Sequence, residues 1–444
     1  MKPLIQPSAR MRRSMRALLA VLAVAGAPFV PAHGSGGSDR EAGRDDGAGA
    51  TDAPPPILIT DAMLDTARER VSEGDEPWRT AFEQVARNAR QAREREADVT
   101  HGRKVHDVAK AARTDAGAAR DAAFYAAVSG EAWGYATARR LILAWARAEP
   151  TPGAAFPWKP FAADVPRELR ETAGGLHFGL TGARFAIAYG LVDERMTPAE
   201  RADVERWFRQ LAEWVRRGRE AWIANDYAHR QRYNNHLSGQ NLGQIALGLA
   251  LGDEAMVEEA VDDPDNPRDA LEMIDGAVLM PSRGPDQFWK HDARRVTRPG
   301  EIYDRYRVQT SYDGEHGWGL GYALLHLKLL ALSAEMLHAV GDDRLWEHVG
   351  PHGQCLQVAF DHYAAFLTTP RDDWHPYHRD DRFPTQAIPL YEIAATRLPD
   401  SQAVRQVLRV NTDKRLEVKH SVLGHLPILL YGAPTWPAPE EENG

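Results

Sequence analysis

From Ile57 onward apolar residues recur every three to four positions, the spacing of one helix face, and strict alternation is rare. ITDAMLDTARERV (59–71) predicts a first helix with Asp61 as cap, and DEPWRTAFEQVARNARQARERE (75–96) predicts a second built on Trp78, Phe82 and Val85. AARDAAFYAAVSG (118–130) and EAWGYATARRLILAWARA (131–148) form an alanine-rich pair. ETAGGLHFGLTGARFAIAYGLV (171–192) and TPAERADVERWFRQLAEWVRRG (197–218) form another, the second opening on Thr197-Pro198, a cap followed by proline at the first helical position. A strand is expected only around Ile428–Tyr431. Beyond residue 345, GQCLQVAFDHYAAFL and FPTQAIPLYEIAATRL predict further helices.

Helical hairpins in series with no fixed-period repeat predict an all-α fold, an (α/α) toroid, over residues 57–435. Such a ring needs amphipathic outer helices and inner ones that are apolar almost all round. GWGLGYALLHLKLLALSAEMLHAV (317–340) has the inner character, with Tyr322, His326, Lys328 and Glu335 set into it. Tyr322 and His326, four apart, share a face.

The termini read differently. Residues 1–32 combine Lys2, Arg10, Arg12, Arg13 and Arg16 with a short apolar run, the pattern of a secretory signal peptide. Residues 33–56 are a Gly, Ser, Asp and Pro tether, and 436–444 are expected to be disordered. No other stretch reads as a membrane span. The leader holds five positive charges and no acid, so its removal takes the net charge from −9 to −14. That argues against nucleic acid as a partner. It leaves an anionic substrate open, because KHDARRVTRPGEIYDRYR (290–307) carries six Lys or Arg plus His291 against Asp292, Glu301 and Asp304. The one cysteine, Cys355, excludes an intrachain disulfide and a cysteine-built metal site. DDWHPYHRDD (372–381), with His375 and His378, reads as a solvated loop, so no metal is expected.

The candidate chemistry centres on RYNNHLSGQNLGQ (232–244). Asparagine is a favoured N-cap. Asn234, Asn235 and His236 together exceed what a cap needs, and Gly239, Gly243 and Gly248 thin the helix that follows.

Asn234-Asn235-His236 before a small-residue helix, then GLGYALLHLKLLALSAEML around Tyr322, resembles the alginate lyase superfamily; WARAEPTPGAAFPWKPF and GGLHFGLTGARFAIAYGL resemble its earlier segments. The resemblance covers roughly residues 120–345 and implies β-elimination of a uronate polysaccharide such as alginate, polymannuronate or glucuronan. That chemistry removes a weakly acidic C5 proton beside a carboxylate, so donors must spread the new charge into the carboxylate. One tyrosine can take the proton and return it to the leaving oxygen, and no metal or organic cofactor is required. The resemblance makes Tyr322 that base and acid, with Asn235 and His236 at the carboxylate. Further substrate contacts are expected from Asn234, Arg232, His177, Trp158 and Lys159. Known alginate lyases place an arginine shortly before the tyrosine; DGEHGWGLGY has none, and Arg307, Arg305 or His316 is expected in its role. The alternatives are a glycoside hydrolase on a similar toroid, using a carboxylate pair from Asp286, Asp313 and Glu315, or a sugar-binding protein without catalysis.

Overall fold

A computed structural model describes residues 56–99, 105–148, 167–225, 227, 231–283, 298–306, 319–374 and 384–434. The leader, most of the tether, the tail, Trp158, Lys159, Asp286, Arg307, Asp313, Glu315, His316, His375 and His378 lie outside them, as does the side chain of Arg305.

The helices begin with α1 (Asp61–Glu73), α2 (Trp78–Arg93), α3 (Val105–Ser129), α4 (Trp133–Ala148), α5 (Arg167–Tyr189) and α6 (Pro198–Ala224). Thr60, not Asp61, caps α1: its Oγ1 accepts from the Met63 amide at 3.2 Å. Asp61 is instead the first helical residue, where a negative charge meets the positive end of the helix dipole. Thr197 caps α6 as its sequence predicts, in a reciprocal capping box with Glu200. Next come α7 (Asn235–Leu251), α8 (Glu254–Val261) and α9 (Ala270–Ala277), then α10 (Gly319–His338), α11 (Arg344–Glu347) and α12 (Leu356–Thr368). The chain ends in α13 (Ile388–Arg397), α14 (Gln402–Val410), α15 (Thr412–Glu417) and α16 (Leu426–Leu430).

These helices make an (α/α) toroid. Its inner wall follows α3, α5, α7 and α10, each packed on the next, with α2, α4 and α6 outside. Glycine sets the spacing where α5 meets α7: a Cβ on Gly179 would lie 2.4 Å from the Gly239 carbonyl oxygen, and one on Gly243 would lie 2.2 Å from the Gly179 Cα. Gly175 meets Gln240 and Gly182 meets Leu247, so the two helices run the same way. Nearly every residue of α7 and α10 is buried, as an inner helix requires. By length and composition α10 could cross a bilayer, but here it is a core helix.

Where a strand is expected at Ile428–Tyr431, the chain forms α16, with Pro427 at its start. A short apolar run bears no period that separates a buried strand from a buried helix, and the proline favours the helix start. This helix closes the ring. Arg70 Nη1 donates to the Leu429 carbonyl at 2.6 Å, and Trp78 Nε1 donates to that of Gly432 at 3.2 Å. Buried ion pairs fasten the same side: Arg397 to Glu335 at 2.6 Å and Arg415 to Glu392 at 2.5 Å.

The regular strands among the described residues are β1 (Val278–Leu279) and β2 (Glu301–Ile302), antiparallel with Val278 opposite Ile302. Ile302 N donates to the Tyr363 hydroxyl at 2.9 Å, seating β2 on α12. The 3₁₀ turn that follows, Tyr303–Tyr306, carries Asp304 inward.

Candidate active site

Asp304 organises the centre of the ring. The residue is 4% exposed and its side chain accepts three hydrogen bonds: Asn234 Nδ2 on Oδ1 at 2.9 Å, and the Asn235 backbone amide and His326 Nδ1 on Oδ2, each at 2.9 Å. The other nitrogen of His326 lies 2.6 Å from Ser238 Oγ. The first turn of α7 and the second turn of α10 are therefore bridged side chain to side chain. His326 is wholly buried, while Tyr322, one turn earlier on α10, keeps part of its surface open.

The two asparagines separate in role. The Asn234 Oδ1 accepts from the His236 amide at 3.0 Å, the N-cap bond, and its Nδ2 also donates to Gln231 Oε1 at 2.9 Å. Its amide is thus committed to the cap and to Asp304. Asn235 is 1% exposed, yet neither its Nδ2 nor its Oδ1 has a hydrogen-bond partner among the described residues. A buried amide in that condition costs roughly 1–3 kcal/mol until a polar partner meets it. His236 is half-buried, and its ring stacks on Trp222 with centroids 4.7 Å apart. Trp222 is itself fixed by a 3.2 Å bond from Nε1 to the Gln231 carbonyl.

Arg232 is exposed, and its carbonyl accepts from Arg268 Nε at 2.8 Å. The Arg268 guanidinium lies 4.5 Å from the ring centre of Tyr233 and 4.6 Å from that of Tyr227. Tyr233 meets Tyr303 edge-on at 5.9 Å, and Arg283 also faces Tyr233. An aromatic wall with cationic backing thus flanks the asparagines. His177 is half-buried on α5, on the same face as Thr181 and Arg184.

Asp304 and Ser238 are the residues that sequence reasoning passed over. Asp304 counted only as an opposing charge in a basic run, and a partner 69 residues away leaves no local signal. Four-residue spacing does associate His326 with Tyr322; its burial against Asp304 shows that it braces the helix rather than facing solvent.

The Alginate lyase family profile matches residues 70–374. In structure the chain is similar to an alginate lyase from Bacteroides ovatus, with TM-score 0.59 and 13% identity over 85% of this chain and 99% of that one. It is also similar to alginate lyase A1-III from Sphingomonas species A1, with TM-score 0.55 and 13% identity over 85% and 98%. A tyrosine-to-phenylalanine variant of that enzyme, complexed with a tetrasaccharide, gives TM-score 0.51 and 12% identity over 85% and 97%. Comparison with curated sequences gives no match.

Proposed function

As the chain belongs to the alginate lyase family and is a polysaccharide lyase, we propose that it cleaves a uronate polymer by β-elimination, with Tyr322 as base and acid and with Asn235 and His236 at the carboxylate. One observation carries this reading. The Ser238–His326–Asp304–Asn235 bridge ties the start of α7, with the partnerless buried amide of Asn235, to α10 one turn after a partly open tyrosine, and this supports the reading. An amide so placed donates to a substrate carboxylate as negative charge builds on it, and its rigid backbone spares reorganisation at that moment. A tyrosine acting as base must ionise more readily than its ordinary pKa of about 10 allows, which cations and hydrogen-bond donors favour. Arg307, Arg305 and His316, on the segment leading into α10, are proposed for the missing arginine's role, and Arg232 and His177 for substrate contacts. Trp158 and Lys159 are proposed to meet the sugar and its carboxylate. Export by the N-terminal leader belongs to the same proposal, since a polymer substrate lies outside the cell.

The test offers alginate, polymannuronate, polyguluronate and glucuronan and follows the ultraviolet absorbance of an unsaturated uronate. The wild-type chain is expected to produce it on at least one polymer, and Tyr322→Phe to lower kcat by about a thousandfold or more with an unchanged melting temperature. Reducing ends without that absorbance would mean hydrolysis and would overturn the reading.

A further inference from the structure

Further along α10 than Tyr322, several cations of the described residues stand close together. Lys328 lies six residues on from Tyr322, about 9 Å further along α10. Its Nζ donates to Ser421 Oγ at 2.7 Å. It is closely surrounded yet keeps some exposed surface. Arg184 extends from α5, one turn beyond Thr181, and His420 sits in the closing turn before α16. Among the described residues, the charged neighbours that act on these three groups are cationic: Arg113, Arg120 and one another. The nearby Asp121 is already taken by Arg120 and by Asn88, whose Nδ2 lies 2.8 Å from it. Burial, then the neighbouring arginines, push the Lys328 ammonium down to about 8 and the Arg184 guanidinium down to about 9.

The same cluster carries unmatched donors. His420 Nδ1 accepts from the amides of Val422 and Leu423 at 3.2 and 3.1 Å, which leaves the proton of the neutral ring on Nε2. That Nε2, Arg184 Nε and Thr181 Oγ1 are buried and have no hydrogen-bond partner among the described residues. The three side chains are 2%, 9% and 2% exposed. A fold does not gather repelling cations around unmatched donors to gain stability, because each buried charge without a counter-ion costs free energy. An oxyanion resolves both problems at once.

We infer that this cluster is a second oxyanion subsite, formed by Thr181, Arg184, Lys328 and His420, which takes a carboxylate further along the polyuronate chain than the one at the reacting ring. The inference rests on the polyuronate lyase reading, and its test separates the two. Lys328→Met and Arg184→Met keep chain length and remove charge, and both are expected to fold with an equal or higher melting temperature. In the wild-type protein, free glucuronate should raise the melting temperature and glucose should not. Tyr322→Phe should keep that response, and Lys328→Met should lose it. With long oligouronates, Lys328→Met should raise KM about tenfold or more, the size of one charge-assisted bond, with a smaller change in kcat. Should no polyuronate be turned over while glucuronate still stabilises the wild type and not Lys328→Met, the subsite stands and the lyase reading falls. A response to sulfate alone, or an unchanged KM and thermal response in Lys328→Met, would overturn the subsite.

Discussion

Replacing Asp304 by asparagine isolates what the central carboxylate does. The volume is unchanged, but one oxygen becomes an NH₂ group. Turned toward Asn234, that group faces another donor; turned the other way, it faces both the Asn235 amide and His326 Nδ1. One or two bonds to a charged acceptor are lost, at about 1.5–3 kcal/mol each, so a cost of about 3 kcal/mol is expected. The described helices run from Asp61 to Leu430. At roughly 2 cal/mol/K per residue the unfolding entropy of that span is about 0.8 kcal/mol/K, which converts the loss into a fall in melting temperature of about 4 °C. That is too little to unfold the protein at assay temperature. The rate should respond far more, because α7 and α10 lose their common anchor and a displacement of about 1 Å costs about a hundredfold. Asp304→Asn and wild type would be compared by thermal melts and by kcat and KM for ultraviolet product formation. A variant that melted with the wild type and kept kcat within about threefold would refute the positioning role of Asp304.

Asn235→Ala is expected to separate stability from activity. Removing an amide that has no partner should leave the melting temperature unchanged or raise it by about 1 °C, while kcat/KM falls by about a hundredfold or more. A destabilised but fully active variant would place Asn235 in the framework instead. Glu200 supplies an acid-side prediction. Hydrogen bonding from Arg139, then from the Thr197 backbone, holds its carboxyl at about 2, below the ordinary 4.5. A depressed carboxylate contributes stability that is complete above the unfolded pKa and is lost as pH falls from about 4.5 toward 2. Melting curves across that range should show a shallower acid limb for Glu200→Gln; identical limbs would show that the pair carries no net stability.

Much of the architecture is legible in the sequence because burial leaves a periodic trace. α10 reads as an inner helix from its apolar residues in every direction, the glycines of α7 mark a close approach, and Thr197-Pro198 marks the start of α6 without reference to any neighbour. Asn234 as a cap is equally local. The contrast between Asn234 and Asn235 is not, because both are buried amides and only the position of Asp304 decides which one is satisfied. Asp304 itself comes from a 3₁₀ turn after β2, a two-residue strand that is too short to show alternation. The clustered cations belong to α5, α10 and the turn at His420, and each alone reads as an ordinary polar residue. The strand expected at Ile428–Tyr431 failed for the opposite reason: four apolar residues carry too little pattern to choose between two buried conformations.

The seam at α16 has a bearing on how such a protein can diversify. An open stack of hairpins can grow by one more unit, since its end is free. Here the carbonyls of Leu429 and Gly432 are already bonded to Arg70 and Trp78, so an added hairpin would have to prise the join apart. The circumference is therefore a closed quantity. New specificities must come from exchanging the side chains that point into the hole, or from lengthening the segments at its rim.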